Sequence, residues 1–443
     1  METIEEWLKK NGIDEVEGIV ADMAGIARGK FVPADKFCRH EGMRLPESLF
    51  IQTVTGTYAE TDVVSDADQD IELRPDPDTI RLVPWATEPT AIIIHDCFFH
   101  DGAPVDISPR HVLRHVLDLY RQKGWQPVVA PEVEFYLVKP NTDPDFPLEP
   151  PIGRSGRPEA ARQPFSIDAL NEFDPLIETV YDYCEAMKIE VDTLIHEAGA
   201  AQIEINFLHG DPLALADQVF LFKRVVREAA LRHNVYATFM AKPMESEPGS
   251  SLHSHHSIVD TATGANIFSD ENGEPTEEFY GFVGGLQRYT PDCVLLYAPF
   301  VNSYRRFARY LSAPINVQWA VDNRTVGLRV PRSGPENRRI ENRVAGADVN
   351  PYLAIAASLA SGLLGIEQRL RPSDPISGSA YDLPFIFPRD LTMAVQRLRE
   401  CIDIRPYLGQ RFIDVYTAVK RTEYEAHFQV ISAWEREHLL LNV

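Results

Sequence analysis

Residues 131–137 (PEVEFYL) and residues 196–207 (HEAGAAQIEINF) alternate polar and apolar side chains with the two-residue period of a β-strand. In the first stretch Glu132 and Glu134 share one face, and the apolar side chains next to them lie on the other face. In the second stretch Glu204 shares a face with the polar residues two positions before and after it. Both stretches therefore predict strands that carry a charged face.

Two more stretches repeat this pattern further along the chain. They are SLHSHHS (251–257), which aligns His253, His255 and Ser257, and RRIENR (338–343), which aligns Arg339, Glu341 and Arg343. A solvated face explains one such strand, but four charged faces turned inward are costly unless metal ions and anionic ligands neutralise them. Because the candidate ligands are mostly carboxylates, with little nitrogen and no thiolate, they favour Mg²⁺ or Mn²⁺ over Zn²⁺.

A set of arginines is interleaved with the last of these strands. Its members are Arg306, Arg324, Arg329, Arg339 and Arg343. Acids that hold divalent cations, placed beside fixed positive charges, predict a site where a polyphosphate is bound and cleaved.

The composition limits the class of protein. With 443 residues the chain suits one large domain plus a smaller one, and an apolar content of 44% is sufficient for a packed interior. The net charge of −23 argues against nucleic acid as a partner, since phosphates require a basic surface. The same charge helps to keep a protein in solution and would also favour the approach of cationic substrates such as amines.

Cysteine usage and hydropathy indicate the compartment. The five cysteines are scattered without a CxxC spacing, which predicts reduced thiols in a cytoplasmic protein. Glu5 and Glu6 near the start of the chain argue against a signal peptide. The longest uncharged apolar stretch, 352–366, is shorter than the roughly 20 residues that a membrane-spanning helix needs. It predicts a buried helix and no membrane partner.

The first part of the chain differs in pattern from the rest. Strand-like pieces at 16–23, 27–33 and 90–99 are broken by Pro and Asp clusters, which predicts a small mixed sheet. A boundary is expected near residue 105, and a helix is expected from Pro109 to Gly124, with Ser108 as its N-cap.

The rest of the chain alternates strands with amphipathic helices. Strands are predicted at 126–139, 189–196, 201–208 and 235–242, and helices at 174–188, 212–233, 389–402 and 411–440. The polar, Pro-rich stretch 140–173 predicts a long loop with a role of its own.

Seven segments, in this order, resemble the glutamine synthetase family across residues 10–440. They are PEVEFYL (131–137), HEAGAAQIEINF (196–207), FMAKP (239–243), HSHHS (253–257), VNSYRRF (301–307), DNRTVGLRVP (322–331) and RRIENRVAGADVNPYLA (338–354). Within the family the chain is most similar to the glutamate–amine ligases, of the γ-glutamylputrescine synthetase type.

The resemblance implies an α+β fold in two domains. A β-grasp domain would span residues 1–105, and a large catalytic domain with a curved antiparallel sheet and flanking helices would span 106–443. The family also implies a homo-oligomeric ring of six subunits, or two stacked rings, with active sites between neighbouring subunits.

The resemblance also implies roles for the charged residues. One metal ion would be held by Glu134, Glu197 and Glu204, and a second by Glu132, His253 and Glu341. Arg306 and Arg343 would bind the carboxylates of glutamate, with the backbone at Gly249, and Glu134 would also face this substrate. Arg329, Arg339, His255, Ser257 and His209 would contact ATP, and Arg324 would steady the transferring phosphoryl group.

The chemistry that follows from the resemblance is a ligation. ATP would convert the γ-carboxylate of glutamate to an acyl phosphate, which an amine then attacks. At least two Mg²⁺ or Mn²⁺ ions and the arginines would neutralise the charge that develops on the γ-phosphoryl group.

Two departures from the family pattern bear on the nucleophile. The family members that use ammonium hold it with an Asp in a DGSS segment and with a flap Glu, but here the first segment reads FIQTVTGTYAE (50–60) and the flap position is Ser312. Without these carboxylates ammonium is neither bound nor deprotonated. We therefore expect an organic primary amine, with its substituent near residues 50–60 and 307–313.

The pocket for this amine has several candidate residues. Phe50, Tyr58 and Tyr310 would line it, and Glu60 or Asp62 could pair with the second charge of a polyamine. The residues fit an apolar or aromatic monoamine slightly better. The alternatives are an ordinary glutamine synthetase and a non-catalytic homologue, of which the second is disfavoured because every expected metal ligand is present.

Four further residues lie at positions that have known roles in the family. Pro248, Phe165 and Glu336 differ from the residues usual in the family near glutamate, the phosphates and the nucleotide. Tyr381, in a short YDLP match, resembles a tyrosine that is adenylylated in some glutamine synthetases, although a packed loop tyrosine is the better interpretation.

Overall fold

The computed structural model describes residues 2–39, 43–159 and 162–443. Its N-terminal part is a mixed sheet with two helices on one face. The strands are β1 (Glu15–Ala21), β2 (Ala27–Pro33), β3 (Met43–Pro46), β4 (Asp70–Pro75), β5 (Arg81–Leu82) and β6 (Thr90–Phe98), and the helices are α1 (Ile4–Lys10) and α2 (Ala34–Cys38). The strand order is β2-β1-β6-β4-β3, with β5 also pairing with β6, and β1 and β6 run parallel.

The apolar run in β6 is explained by burial on both faces. Ala91 and Ile93 pack with Leu8 of α1, while Ile92 and Ile94 point to the opposite face and join the main core of the protein. Alternate side chains of a strand point to opposite faces, so a central strand covered on both sides needs a continuous apolar sequence. The small mixed sheet predicted from the sequence is confirmed.

The second sheet carries the candidate site. Its strands are β7 (Trp125–Val138), β8 (Val191–His196), β9 (Gln202–Phe207), β10 (Tyr236–Thr238), β11 (Leu252–Asp260), β12 (Trp319–Val321), β13 (Leu328–Val330) and β14 (Ile340–Asn342). The order is β12-β13-β14-β11-β7-β9-β8, and β10 also pairs with β7. Every pairing in it between described strands is antiparallel except that of β12 with β13, so the predicted antiparallel sheet is confirmed.

Helices flank this sheet. They are α3 (Pro109–Arg121), α4 (Ile167–Asn171), α5 (Asp174–Ala186), α6 (Pro212–Arg232), α7 (Glu277–Tyr289), α8 (Val294–Tyr297), α9 (Pro351–Glu367), α10 (Leu391–Glu400), α11 (Arg405–Leu408), α12 (Gln410–Phe428) and α13 (Ala433–Leu439). Helix α9 is buried along nearly its whole length and packs against α7, α3 and α6, as its uncharged sequence predicts. No helix in the described ranges is both long and apolar enough to cross a membrane.

Three predicted elements differ from those observed. The stretch 140–173, predicted as a loop, contains helix α4 (Ile167–Asn171). The strand expected at 235–242 ends at Thr238, because Ala241 and Lys242 turn away and bond to Ser250 and Asn302 of nearby loops. The helix expected at 411–440 is two helices. Ser432 starts the second one through a capping box, in which its hydroxyl accepts from the Glu435 N–H and the Glu435 carboxylate accepts from the Ser432 N–H.

Candidate active site

A row of charged side chains crosses five adjacent strands of the second sheet. In the strand register, Glu134 of β7 lies opposite Glu204 of β9, and Glu132 lies opposite His253 of β11. One strand further, Glu341 of β14 lies opposite His255 of β11, and β13 adds Arg329 opposite Glu341. The strands that were each predicted to carry a charged face therefore place those faces together.

Within this row, three acids form a compact triad. One carboxylate oxygen each from Glu134, Glu197 and Glu204 lies within 4.8 Å of the other two. Glu197 is supplied by the turn that follows β8, so the triad combines two strands and one turn. These are the residues of the first metal-binding set that the resemblance implies, and the fold brings them together.

The second predicted set is also assembled, with one addition. His253 Nδ1 lies 3.4 Å from Glu132 Oε2 and 3.8 Å from Glu341 Oε1. His255, which was expected on the nucleotide side, has its Nε2 2.9 Å from Glu132 Oε1 and forms a further possible metal-binding group with Glu132 and Glu341. His253 therefore faces both carboxylates through Nδ1, while its buried Nε2 has no hydrogen-bond partner among the described residues.

The carboxyl groups of the row differ in the direction in which their pKa values are shifted. Burial, followed by the neighbouring Glu197, raises the pKa of Glu134 to about 8, and burial with three nearby carboxylates raises the pKa of Glu204 to about 10. Burial acts in the same direction on Glu341, but the charges of Arg343 and the histidines hold its pKa at about 2. The triad thus has too little positive charge nearby, and divalent cations would supply it.

This imbalance predicts a pH dependence of stability in the metal-free protein. The raised pKa values of Glu134 and Glu204 mean that the folded chain retains protons which the unfolded chain loses above about pH 4.5. We expect the melting temperature in EDTA to fall as the pH rises from 6 to 8, with Glu204 extending the fall towards 10. Saturating Mg²⁺ should remove most of this fall, because it replaces the protons as the counter-charge.

The experiment is a set of thermal melts at pH 6, 7, 8 and 9, with EDTA or with Mg²⁺. The double variant Glu134→Gln, Glu204→Gln serves as the control, since it carries no titrating group at these positions and should lack the part of the fall that these two carboxyl groups cause. Equal slopes in EDTA and in Mg²⁺ for the unchanged protein would contradict the account.

Arg306 lies beside the triad and is almost completely buried. Its guanidinium donates to the Val344 carbonyl (2.7 Å), the Ser251 hydroxyl (2.6 Å) and the Arg343 carbonyl (3.1 Å). Only glycine fits at position 249, because a Cβ there would lie 2.6 Å from Arg306 Cγ. The backbone at Gly249 and the two arginines are therefore neighbours, as the resemblance implies for the glutamate side.

Four of the five expected nucleotide residues share a cavity of about 450 Å³. His209, His255, Ser257 and Arg339 line it together with Glu132, and Arg339 Nε donates to His255 Nδ1 over 3.2 Å. Arg329 is not among the lining residues; its guanidinium bonds instead to Glu341 (2.9 Å) and Asp322 (2.9 Å).

The cavity also contains residues that sequence reasoning missed. Asp192 and Asn337 line it. So do Asn206, which belongs to the polar face predicted around Glu204, and Glu336, one of the departures from the family. Asp192 sits where β8 slips its register between Val191 and Thr193. A bulge changes the face on which a side chain lies, so strand alternation could not have shown Asp192.

Arg324 stands apart from the other arginines. It lies in the connection between β12 and β13, is exposed, and among the described residues has no ion-pair partner within 4.0 Å. Its charge nevertheless acts to lower the pKa of Glu197, whose overall pKa is raised mainly by burial. A free guanidinium beside the acidic triad is available to an incoming anion.

The segment predicted to face the amine has an unusual backbone. Tyr310 and Ser312 both adopt left-handed conformations, with φ of +62° and +64°. The Tyr310 ring is 68% exposed and lies 5.2 Å from the ring of Tyr381. Tyr381 itself is buried, which agrees with a packed loop tyrosine. Ser312 places no carboxylate in this segment.

The prediction that Phe50 lines the amine pocket is wrong. Phe50 belongs to a short 3₁₀ helix, Glu47–Ile51, and its side chain is fully buried in the core. It cannot line a binding pocket. Tyr58, in contrast, is 57% exposed on the loop that follows.

Comparison with known proteins agrees with this geometry. Residues 106–439 match the protein family described as "Glutamine synthetase, catalytic domain". γ-Glutamylputrescine synthetase PuuA of Escherichia coli (strain K12) is 36% identical over 436 residues, which cover 96% of this chain and 92% of that protein. The chain belongs to the glutamine synthetase family.

Other members of the glutamine synthetase family extend the comparison. A glutamate–isopropylamine ligase of Pseudomonas sp is 34% identical over 445 residues, covering 98% of this chain and 96% of that protein. A solved structure described as "Apo GmaS without ligand" superposes with a TM-score of 0.85 at 28% identity, and each chain is covered completely. The predicted family, the α+β fold and the assignment to the ATP-dependent C–N ligases are confirmed.

Proposed function

We propose that the protein joins the γ-carboxylate of glutamate to an organic primary amine through a γ-glutamyl phosphate. The relatives named for putrescine and isopropylamine support this assignment, since both use an organic amine by name. The observation that carries it is the acidic triad beside free and buried arginines, combined with Ser312 in the segment where an ammonium site would need a carboxylate.

The triad of Glu134, Glu197 and Glu204 would hold one divalent ion, and the carboxylates of Glu132 and Glu341 with His253 would hold a second. Bound Mg²⁺ or Mn²⁺ supplies charge neutralisation for the phosphates of ATP. His255 fixes Glu132 through its hydrogen bond and, through Arg339, links this carboxylate to the nucleotide cavity.

The arginines would have separate tasks. Arg306 and Arg343 bind the carboxylates of glutamate beside the Gly249 backbone, which orients the γ-carboxylate towards the triad. Arg324, which has no ion-pair partner among the described residues, would contact the phosphoryl group as it is transferred. Arg329, which pairs with Glu341, would contact the nucleotide phosphates.

The amine would enter beside Ser312, with Tyr310 and Tyr58 against its substituent. Because segment 307–313 supplies no carboxylate, it does not stabilise a protonated amine, so the pKa of the bound amine falls and its neutral, nucleophilic form is favoured. Ammonium gains nothing from such a pocket, because it has no apolar substituent to bury.

We further propose a homo-oligomeric ring of six or twelve subunits and a domain boundary at residues 105 and 106. The boundary is supported by the start of the family match at residue 106. Self-association is supported by exposed apolar side chains near the end of the chain. They include Phe428, Val430, Ile431, Trp434, Leu440 and Leu441. Static light scattering should give the mass of six or twelve copies.

Phosphate release measured with ATP, glutamate, Mg²⁺ and a panel of amines tests the proposed reaction. The panel contains ammonium, methylamine, isopropylamine, benzylamine and putrescine, with product masses determined in parallel. At least one organic amine should give a kcat/KM at least 10-fold above that of ammonium. Ammonium outperforming every organic amine would indicate an ordinary glutamine synthetase, and no phosphate release with any of them would indicate a non-catalytic homologue.

Restoring a carboxylate at position 312 should shift the preference towards ammonium. In Ser312→Glu the new negative charge would bind ammonium and deprotonate it, so we expect kcat/KM for ammonium to rise about 10- to 100-fold. The added bulk should lower the value for the preferred organic amine. Steady-state kinetics with both nucleophiles measure the change.

Ser312→Gln is the matched control, since it adds nearly the same volume without the charge. It should lower activity with the organic amine and leave ammonium use unimproved. An equal gain of ammonium activity in Ser312→Gln and Ser312→Glu would show that charge at this position is not what selects the nucleophile.

A further inference from the structure

The long loop between β7 and α4 contacts the turn that carries Glu197. Glu159 lies in this loop, directly before the undescribed residues 160–161, and its side chain is only 8% exposed. Glu159 Oε2 accepts two hydrogen bonds, one from His196 Nε2 (3.0 Å) and one from the Ala201 N–H (2.7 Å). The loop is thereby joined to both ends of the 197–201 turn.

His196 transmits this contact to the backbone of Glu197. Its side chain is fully buried at the end of β8, and its Nδ1 lies 2.7 Å from the Glu197 carbonyl oxygen. A carbonyl oxygen can only accept, so Nδ1 carries a proton and donates it. The imidazole ring is therefore a rigid link between the Glu159 carboxylate and the residue that supplies a triad oxygen.

The turn itself has little freedom to adapt if this link is lost. Ala201 is in the left-handed region, with φ of +56°. A Cβ at Gly199 would lie 1.9 Å from the Tyr136 hydroxyl, so the backbone passes against that ring with no room to move inward. Ala200 N–H donates to Glu247 Oε2 over 3.2 Å, which holds the middle of the turn from another loop.

Only one of the two carboxylate oxygens of Glu159 accepts a hydrogen bond from a described residue. Its second oxygen, Oε1, is buried and has no hydrogen-bond partner among the described residues. The carboxylate is therefore held through Oε2 alone, by the hydrogen bonds from His196 Nε2 and the Ala201 N–H.

We propose that Glu159 and His196 are positioning residues that hold Glu197 where it can bind a divalent cation together with Glu134 and Glu204. This role rests on the proposed function of the triad. Partners of this kind, which touch a ligand residue and not the metal, typically change metal affinity by about 10- to 100-fold when they are removed.

Direct Mn²⁺ binding to the full-length protein, measured by calorimetry without nucleotide or amine, tests the role. Glu159→Ala removes both hydrogen bonds and should weaken Mn²⁺ binding at one site about 10- to 100-fold. It should also lower the melting temperature, because His196 Nε2 and the Ala201 N–H lose their acceptor. Glu159→Gln keeps an oxygen that accepts both bonds and should restore binding to within about 3-fold of the original. Glu149→Ala, on the same loop but in an exposed pair with Lys139 (2.7 Å), should bind Mn²⁺ as the unchanged protein does.

Two results would overturn the role. In the first, Glu159→Ala binds Mn²⁺ normally while Glu197→Gln binds it weakly, so the triad holds metal but needs no positioning by the loop. In the second, Glu197→Gln also binds Mn²⁺ normally, which removes both this role and the proposed metal set. If Glu159→Ala does not fold, His196→Gln takes its place and the same thresholds apply, because it breaks the link to the Glu197 carbonyl and leaves Ala201 held by Glu159.

Discussion

Replacing Arg324 by alanine should lower kcat about 1,000-fold while leaving Mn²⁺ binding and the melting temperature unchanged. The guanidinium is exposed and makes no ion pair within 4.0 Å in the described part of the chain, so folding does not depend on it. A positive charge that meets the phosphoryl group only as it is transferred stabilises the transition state over the ground state. Such arginines are worth roughly 10³ or more in phosphoryl transfer.

Two controls isolate this effect. Arg332→Ala removes a neighbouring arginine that is 81% exposed and lies 3.6 Å from Asp322; it should leave kcat within about 2-fold of the original. Arg324→Lys keeps the charge but loses the planar fork, and it should recover only part of the rate. A normal kcat in Arg324→Ala, with ATP and glutamate saturating, would remove this arginine from the reaction.

Replacing Glu341 by glutamine should have the second largest effect, because it affects both stability and the site. Glu341 is 1% exposed on its side chain and pairs with Arg329 at 2.9 Å and with Arg343. Neutralising it leaves two guanidinium groups without their shared carboxylate, at a cost of roughly 3 kcal/mol. We expect a melting temperature roughly 3–6 °C lower and a kcat reduced about 100-fold or more.

Thermal melts and phosphate-release kinetics on the same preparation measure both parts. Glu72→Gln is the matched control, since Glu72 forms exposed ion pairs with Arg74 (3.5 Å) and His100 (3.4 Å) and should change neither quantity noticeably. A Glu341→Gln variant with normal turnover would contradict a role for Glu341 in the site, whatever its melting temperature.

Strand alternation was enough to predict the charged row. A period of two places Glu132 and Glu134 on one face whatever the rest of the fold does, and the same holds for the face that carries Glu204. Helix α9 was predicted for a comparable reason, since an uncharged apolar run of this length must be buried. These features depend on local sequence and need no knowledge of which strands are neighbours.

The features that were missed depend on contacts between distant segments. The contact of His255 with Glu132 follows from the register between β11 and β7, which no local pattern fixes. Phe50 was misplaced because the turn of 3₁₀ helix that buries it has no periodic signature. The hydrogen bond between Glu159 and Ala201 joins a loop to a turn. Neither segment has the hydrophobic periodicity from which its position could be predicted.

A competition experiment in one vessel tests the central claim most directly. The protein is incubated with ATP, Mg²⁺, glutamate and equal concentrations of ¹⁵N-ammonium and a mixture of primary amines, and the products are identified by mass spectrometry. We predict that γ-glutamyl amides of an organic amine form in clear excess over ¹⁵N-glutamine, and that their formation matches phosphate release. ¹⁵N-glutamine as the sole product would contradict the account.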